Sequence, residues 1–179
     1  MEQTQPLTDT PVTTRSAGIR YGVIAAVISI VFFLALNISG VDMTASYWSW
    51  IGYLITAVIV FLAHKYYKEN GDSYMNYGQG IGIAFWQGLI GAGISHIFTY
   101  IYIKFIDGAF IDNVIDAQRA GMEERGMSDE QIDQAMEFSA SFMTPEVMML
   151  MGFLFAILGT VIIALIVTIF TQKSRPETI

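Results

Sequence analysis

The chain reads as an all-α, polytopic membrane protein, with four transmembrane helices and an amphipathic helical hairpin between the third and the fourth. Three observations lead there. Four apolar stretches, at 19–38, 47–63, 81–103 and 147–170, each approach or exceed the ~20 residues that cross ~30 Å of hydrocarbon. Of the 179 residues, 54% are hydrophobic and 14% charged, whereas soluble domains average roughly 45–50% and 25%. The charges gather between the apolar stretches rather than on them.

Residues 1–14 are polar, with Pro6, Pro11 and five threonines. They bury too little surface to offset their ordering entropy, so a disordered tail is expected. The first span is predicted at 17–39. A cleaved signal peptide fits poorly there. No positive residue precedes Arg15, and the apolar run exceeds the usual ~7–15 residues of such a segment. The second span is predicted at 47–66 and the third at 79–104. In the connection 104–145, Phe110, Ile111, Val114 and Ile115 recur at helical spacing, which predicts an amphipathic helix from about Ala109. Ser128 and Gln131 have the capping-box spacing that opens a second helix, with Ile132 and Met136 on its apolar side. The hairpin is placed at 109–142. Thr144, Pro145 and Glu146 then supply a cap, a first-position proline and a first-turn acid for the fourth span, 146–171. One membrane domain, 15–172, takes nearly the whole chain and leaves a tail at 173–179.

Loop charges orient the spans. With the N-terminus inside, Arg15, Arg20, Lys65, Lys68, Lys173 and Arg175 face the cytoplasm, and Lys104, Arg119 and Arg125 lie outside. Six against three over short loops follows the positive-inside tendency and puts both termini in the cytoplasm. Tyr47, Trp48 and Trp50, with Tyr100 and Tyr102, fall at the outer interface, and Tyr66, Tyr67, Tyr74 and Tyr77 at the inner one. Such amphipathic rings prefer the headgroup level.

Within the spans, small residues recur every fourth position. The third carries Gly80, Ala84, Gly88 and Ala92, a line that continues through His96, Tyr100 and Lys104. The fourth carries Gly152, Ala156, Thr160, Ala164 and Thr168, and the first Gly18, Gly22 and Ala26. Lipid tails are as apolar as leucine, so helices associate where small residues let backbones approach. Three striped helices out of four favour packing inside one bundle over a homodimer seam.

Two polar residues stand out as weak functional candidates. His96 lies about two turns inside the end of the third span, beside Ser95 and Thr99. An ionisable group at that depth is by default a functional hypothesis, such as a proton relay or ligand contact. The plainer account is a neutral imidazole bonded to a neighbouring helix. Gln87 lies near mid-span, where a buried amide has to find a partner, most simply on another helix. Asn37 and His64 read as boundary residues.

The composition excludes more than it assigns. Cysteine is absent, which removes disulfides, thiol catalysis and cysteine-ligated metals. The net charge is −7 with no basic cluster, so a nucleic-acid partner is not expected. Glycines 78, 80 and 82 lack the strand–turn–helix setting of a phosphate loop. The acids Asp129, Asp133 and Glu137 share a helical face, as do Asp112 and Asp116. Weak calcium binding is conceivable there, but without a calcium-loop glycine pattern the face reads as solvated. No catalytic residue, metal ligand or cofactor is assigned, and the chain is not expected to be an enzyme.

Residues 74–80 (Tyr-Met-Asn-Tyr-Gly-Gln-Gly) enter the third span, and 97–102 (Ile-Phe-Thr-Tyr-Ile-Tyr) with Phe105-Ile106-Asp107 leave it. With 126–132, 144–146 and the four-span layout, the chain resembles the bacterial membrane family catalogued as domain of unknown function 4199. Gly108 departs from that family's pattern, which has proline there. The resemblance spans nearly everything after residue 14. It implies a small protein of the bacterial inner membrane and carries no catalytic residues. The expected role is a non-enzymatic structural or interaction component, with the lipid bilayer and either a second copy or another membrane protein as partners. The alternative is a small transporter or channel subunit using the polar residues of the third span.

Overall fold

The computed structural model describes residues 12–41, 46–140 and 142–175. Most of the expected N-terminal tail and residues 176–179 lie outside the described residues. Six helices follow in order: α1 (Thr14–Ser39), α2 (Ser46–Glu69), α3 (Tyr77–Phe105), α4 (Phe110–Glu124), α5 (Asp129–Ala140) and α6 (Pro145–Thr171). The described structure is all-α, and α1, α2, α3 and α6 are long and apolar enough to cross a membrane. Large apolar side chains such as Val27, Val31, Leu54, Phe85, Ile97, Leu154 and Ile166 point outward from these four helices. That inversion suits lipid rather than water.

Caps set several helix ends. Thr13 and Ser16 exchange the two bonds of a capping box before α1. Asn76 and Gln79 do the same before α3, and Ser128 and Gln131 before α5. Thr144 caps α6 by accepting from the Val147 N–H, with Pro145 at the first position. Gly40, at φ +65°, closes α1 in the left-handed conformation that glycine adopts without strain.

The four long helices alternate in direction and form a ring, α1–α3–α6–α2. Helix α3 packs most extensively, with α1 on one side and α6 on the other, and meets α2 least. The α1 seam is very close. A Cβ on Gly18 would lie 2.5 Å from Trp86 Cβ and 2.6 Å from Ile83 O, and one on Gly22 would lie 2.9 Å from Ile90 Cβ.

The α6 seam runs the two small-residue lines antiparallel. A Cβ on Gly80 would lie 2.5 Å from Thr168 Cγ2, and one on Gly88 would lie 3.2 Å from Thr160 Cβ. Ala84 and Ala164 share a buried cluster with Val60. At the far end of the register, the His96 ring lies over Gly152. Beyond it, Lys104 Nζ donates to Glu146 Oε1 at 2.7 Å and to the Tyr100 hydroxyl at 2.7 Å.

One end of the bundle carries the start of α1 and the end of α6, and the other carries the hairpin. The terminal end is the more heavily tied. Met75 and Lys173 form an antiparallel bridge, and Asp72 pairs with Arg175. Arg20 donates to the Tyr66 hydroxyl at 3.0 Å, with its guanidinium over the Tyr66 ring. At the hairpin end, Phe110 is buried and packs on Phe33, which anchors α4. Arg119 joins α4 to α5 through Asp133 at 2.9 Å and also faces Glu123 at 3.7 Å. A cation of the chain itself therefore sits among the acids of the hairpin.

Candidate functional site

Helix α2 determines the shape of the interior. Towards the terminal end it is packed, with Ile59, Val60, Ala63 and His64 all buried. Towards the hairpin end, Ser49, Gly52, Tyr53 and Thr56 instead face a cleft of about 400 Å³. The cleft is completed by Ala25, Ile28, Ser29 and Phe32 of α1, by Phe155, Ala156, Gly159, Thr160 and Ile163 of α6, and by α3 from Gln87 to Thr99. That stretch of α3 is ~18 Å long at about 1.5 Å per residue.

The cleft ends blindly. Below Gln87, the cluster of Val60, Ala84 and Ala164, all at 0% exposure, closes the bundle. Beneath that cluster lies a polar knot. His64, fully buried, has Nε2 at 3.0 Å from Gly80 O and Nδ1 at 2.8 Å from Thr171 Oγ1. A carbonyl only accepts, so Nε2 carries a proton. In the uncharged ring, Nδ1 then accepts from the Thr171 hydroxyl. That hydroxyl is also 3.0 Å from Val167 O, so its one proton faces two acceptors. Lys68 Nζ donates to Thr171 O at 2.8 Å and satisfies a carbonyl left over at the end of α6. His64 therefore joins α2, α3 and α6, and its reading as a boundary residue is corrected. Its signal was its spacing, four residues after Val60 and four before Lys68, along the inward face of α2.

The structure brings Gln87 and His96 to the same cleft. Gln87 is 2% exposed, and its Oε1 has no hydrogen-bond partner among the described residues. The interhelical bond expected of that oxygen is not made. Its backbone faces α1 at Gly18 and Gly22, while the side chain stands at the blind end of the cleft. His96 bonds within its own helix rather than to a neighbour, with Nδ1 3.0 Å from Ala92 O. Its Nε2–Cδ2 edge occupies the space over Gly152, where a Cβ would come within 2.7 Å. Gly152 thus makes room for the imidazole.

Of the remaining small residues, Gly80 and Ala84 lie below the cleft, and Gly88, Ala92 and Ala156 line it. Several lining hydroxyls are already committed to the backbone. Thr56 donates to Gly52 O at 2.9 Å and Thr160 to Ala156 O at 2.8 Å. Ser95 Oγ lies 3.4 Å from both Ala92 O and His96 Nδ1. Because that nitrogen carries its proton towards Ala92 O, it is not placed to accept one from Ser95. No Asp, Glu, Lys or Arg is among the described lining residues. Asn37, read as a simple boundary residue, instead bridges α1 to the exit of α3. It accepts from the Tyr102 hydroxyl at 2.9 Å and donates to Asp107 at 3.2 Å.

No curated protein and no solved structure matches the chain. The family described as "Protein of unknown function (DUF4199)" matches residues 20–173, which include α1 from Arg20, the other three long helices, the hairpin and every residue of the cleft. On that match the chain belongs to the DUF4199 family.

Proposed function

We propose that the protein is a non-enzymatic component of the bacterial inner membrane, with both termini in the cytoplasm, that admits a small molecule into the cleft between α2 and α3. The observation that carries this reading is that Gln87 and His96 line one space of about 400 Å³, with Gln87 Oε1 buried and unpartnered among the described residues. Ligand sites commonly have volumes of about 300–1,000 Å³ and a few polar groups in an apolar lining. An unpaired buried polar atom costs roughly 1–3 kcal/mol, which an occupant offsets. The six-to-three distribution of basic residues supports the orientation. The lack of an acid among the described lining residues, together with the direction of the His96 proton, supports a binding rather than a catalytic role. A blind cleft serves a binding protein directly, and serves a transporter if the His64 knot opens in a second state.

The test uses two glycines that border the cleft, Gly52 and Gly159. A Cβ on either meets nothing within 4 Å. Gly52→Leu and Gly159→Leu each add a side chain whose first carbon has room, and are expected to fill the space. Protein purified in mild detergent is expected to release a bound small molecule on extraction, and the filled variants, still monodisperse and helical, to release at least tenfold less. An unchanged set of released compounds contradicts the reading.

The interaction-component reading has its own support in the hairpin, which lies outside the four-helix ring and is anchored to it through Phe110. Crosslinking from Gln134 should then recover a second copy or another membrane protein. Recovery of lipid and intramolecular contacts alone removes it.

A further inference from the structure

We infer that the occupant of the cleft is a neutral amphiphile dissolved in the membrane, whose head group donates a hydrogen bond to Gln87 Oε1. The inference rests on the binding role proposed above and names the ligand's chemistry. It follows from which atoms remain available. At the blind end, the unpartnered atom is an acceptor, and it is almost completely buried. Three donors of the cleft wall already serve its carbonyls: Thr56 serves Gly52, Thr160 serves Ala156, and His96 Nδ1 serves Ala92. The buried atom left without a partner at the blind end is therefore an acceptor, and a donor head group satisfies it.

Charge points the same way. With no ionic side chain in the described lining, a charged head would be desolvated without a counter-ion. Above Gln87 the walls are mostly apolar, with Ile28, Phe32, Ile55 and Phe155, and suit an alkyl chain. A medium-chain alcohol satisfies each condition, with its hydroxyl on Gln87 and its chain running towards the hairpin end. A methyl ether of the same length keeps the shape and loses the donor.

The experiment uses the full chain in detergent and three photoreactive probes carrying the same alkyl diazirine: decanol, its methyl ether, and decanoate. Labelled positions are mapped by mass spectrometry. The alcohol is expected to label 52–59 of α2 and 87–95 of α3, with competition by unlabelled decanol. The ether should label them about tenfold less, because it leaves Oε1 unpaired. Gln87→Leu should equalise the two probes, and Gly52→Leu should abolish cleft labelling by both.

Equal labelling by alcohol and ether in the native chain, lost in Gly52→Leu, overturns the donor assignment and leaves the cleft as a binding site. Preferential labelling by decanoate does the same in favour of an anion. No cleft labelling by any probe, or labelling indifferent to Gly52→Leu, overturns the binding role itself and leaves water as the partner of Gln87. The comparison of alcohol with ether needs no substitution, so it stands even if a variant fails to fold.

Discussion

Gly18 and Gly52 each lie near the start of a span and have opposite surroundings in the fold. At Gly18 a methyl group would meet the α3 backbone at Ile83 O, and at Gly52 it would meet open cleft. Gly18→Ala is therefore expected to cost about 1–3 kcal/mol through overpacking. Gly52→Ala should be neutral or stabilise by up to about 1 kcal/mol, since alanine favours the helix over glycine. Denaturant unfolding in detergent micelles distinguishes them, and equal effects would contradict the close α1–α3 seam. His64→Leu removes the group that links Thr171 to Gly80 O, and should cost about 1–3 kcal/mol for the polar atoms left buried. Its signature is faster amide exchange at the last turn of α6 while the hairpin end stays protected. Gln87 and His96 were legible as polar residues in apolar spans. His64 was not, because hydropathy falls off beside Lys65 and a window average cannot separate a buried imidazole from an interfacial one.

The helices themselves were readable because length, hydropathy and caps agree. Pro145 and Thr144 announce the start of α6, and Ser128 with Gln131 that of α5. The Asn76–Gln79 box escaped notice among the glycines around it, although it follows the same rule. The stripes were also visible, but spacing alone does not name the facing helix. Only the structure shows the α3 line running against the α6 line from Gly80–Thr168 to His96–Gly152. Among the described residues, the hairpin meets the ring at the aromatic contact Phe33–Phe110, at 5.8 Å between ring centres. Phe110→Ala should release α4 and α5, read as loss of exchange protection there, while α1 and α3 keep theirs. Simultaneous loss in α1 would show that the hairpin is part of the bundle's cooperative unit.

The bundle as an assembly is asymmetric along its axis. The terminal end is closed by the apolar cluster, the His64 knot, the Met75–Lys173 bridge and the Asp72–Arg175 pair. The other half holds the cleft, where α2 from Ser49 to Thr56 lines open space, whereas Ile59, Val60, Ala63 and His64 are buried. No local pattern encodes that opening. It arises from how four helices share the space around α3, so the cleft was invisible in the sequence even though two of its polar residues were not. A blind, accessible cleft is what the proposed role requires, and it is open to direct measurement because the chain contains no cysteine. Single substitutions Thr99→Cys, Ser95→Cys and Ala84→Cys, reconstituted in bilayers, are exposed to a small water-soluble thiol reagent from each side. Thr99→Cys and Ser95→Cys are expected to react from the hairpin side alone, and Ala84→Cys from neither. Reaction at Ala84→Cys, or protection of all three positions, would contradict the blind cleft.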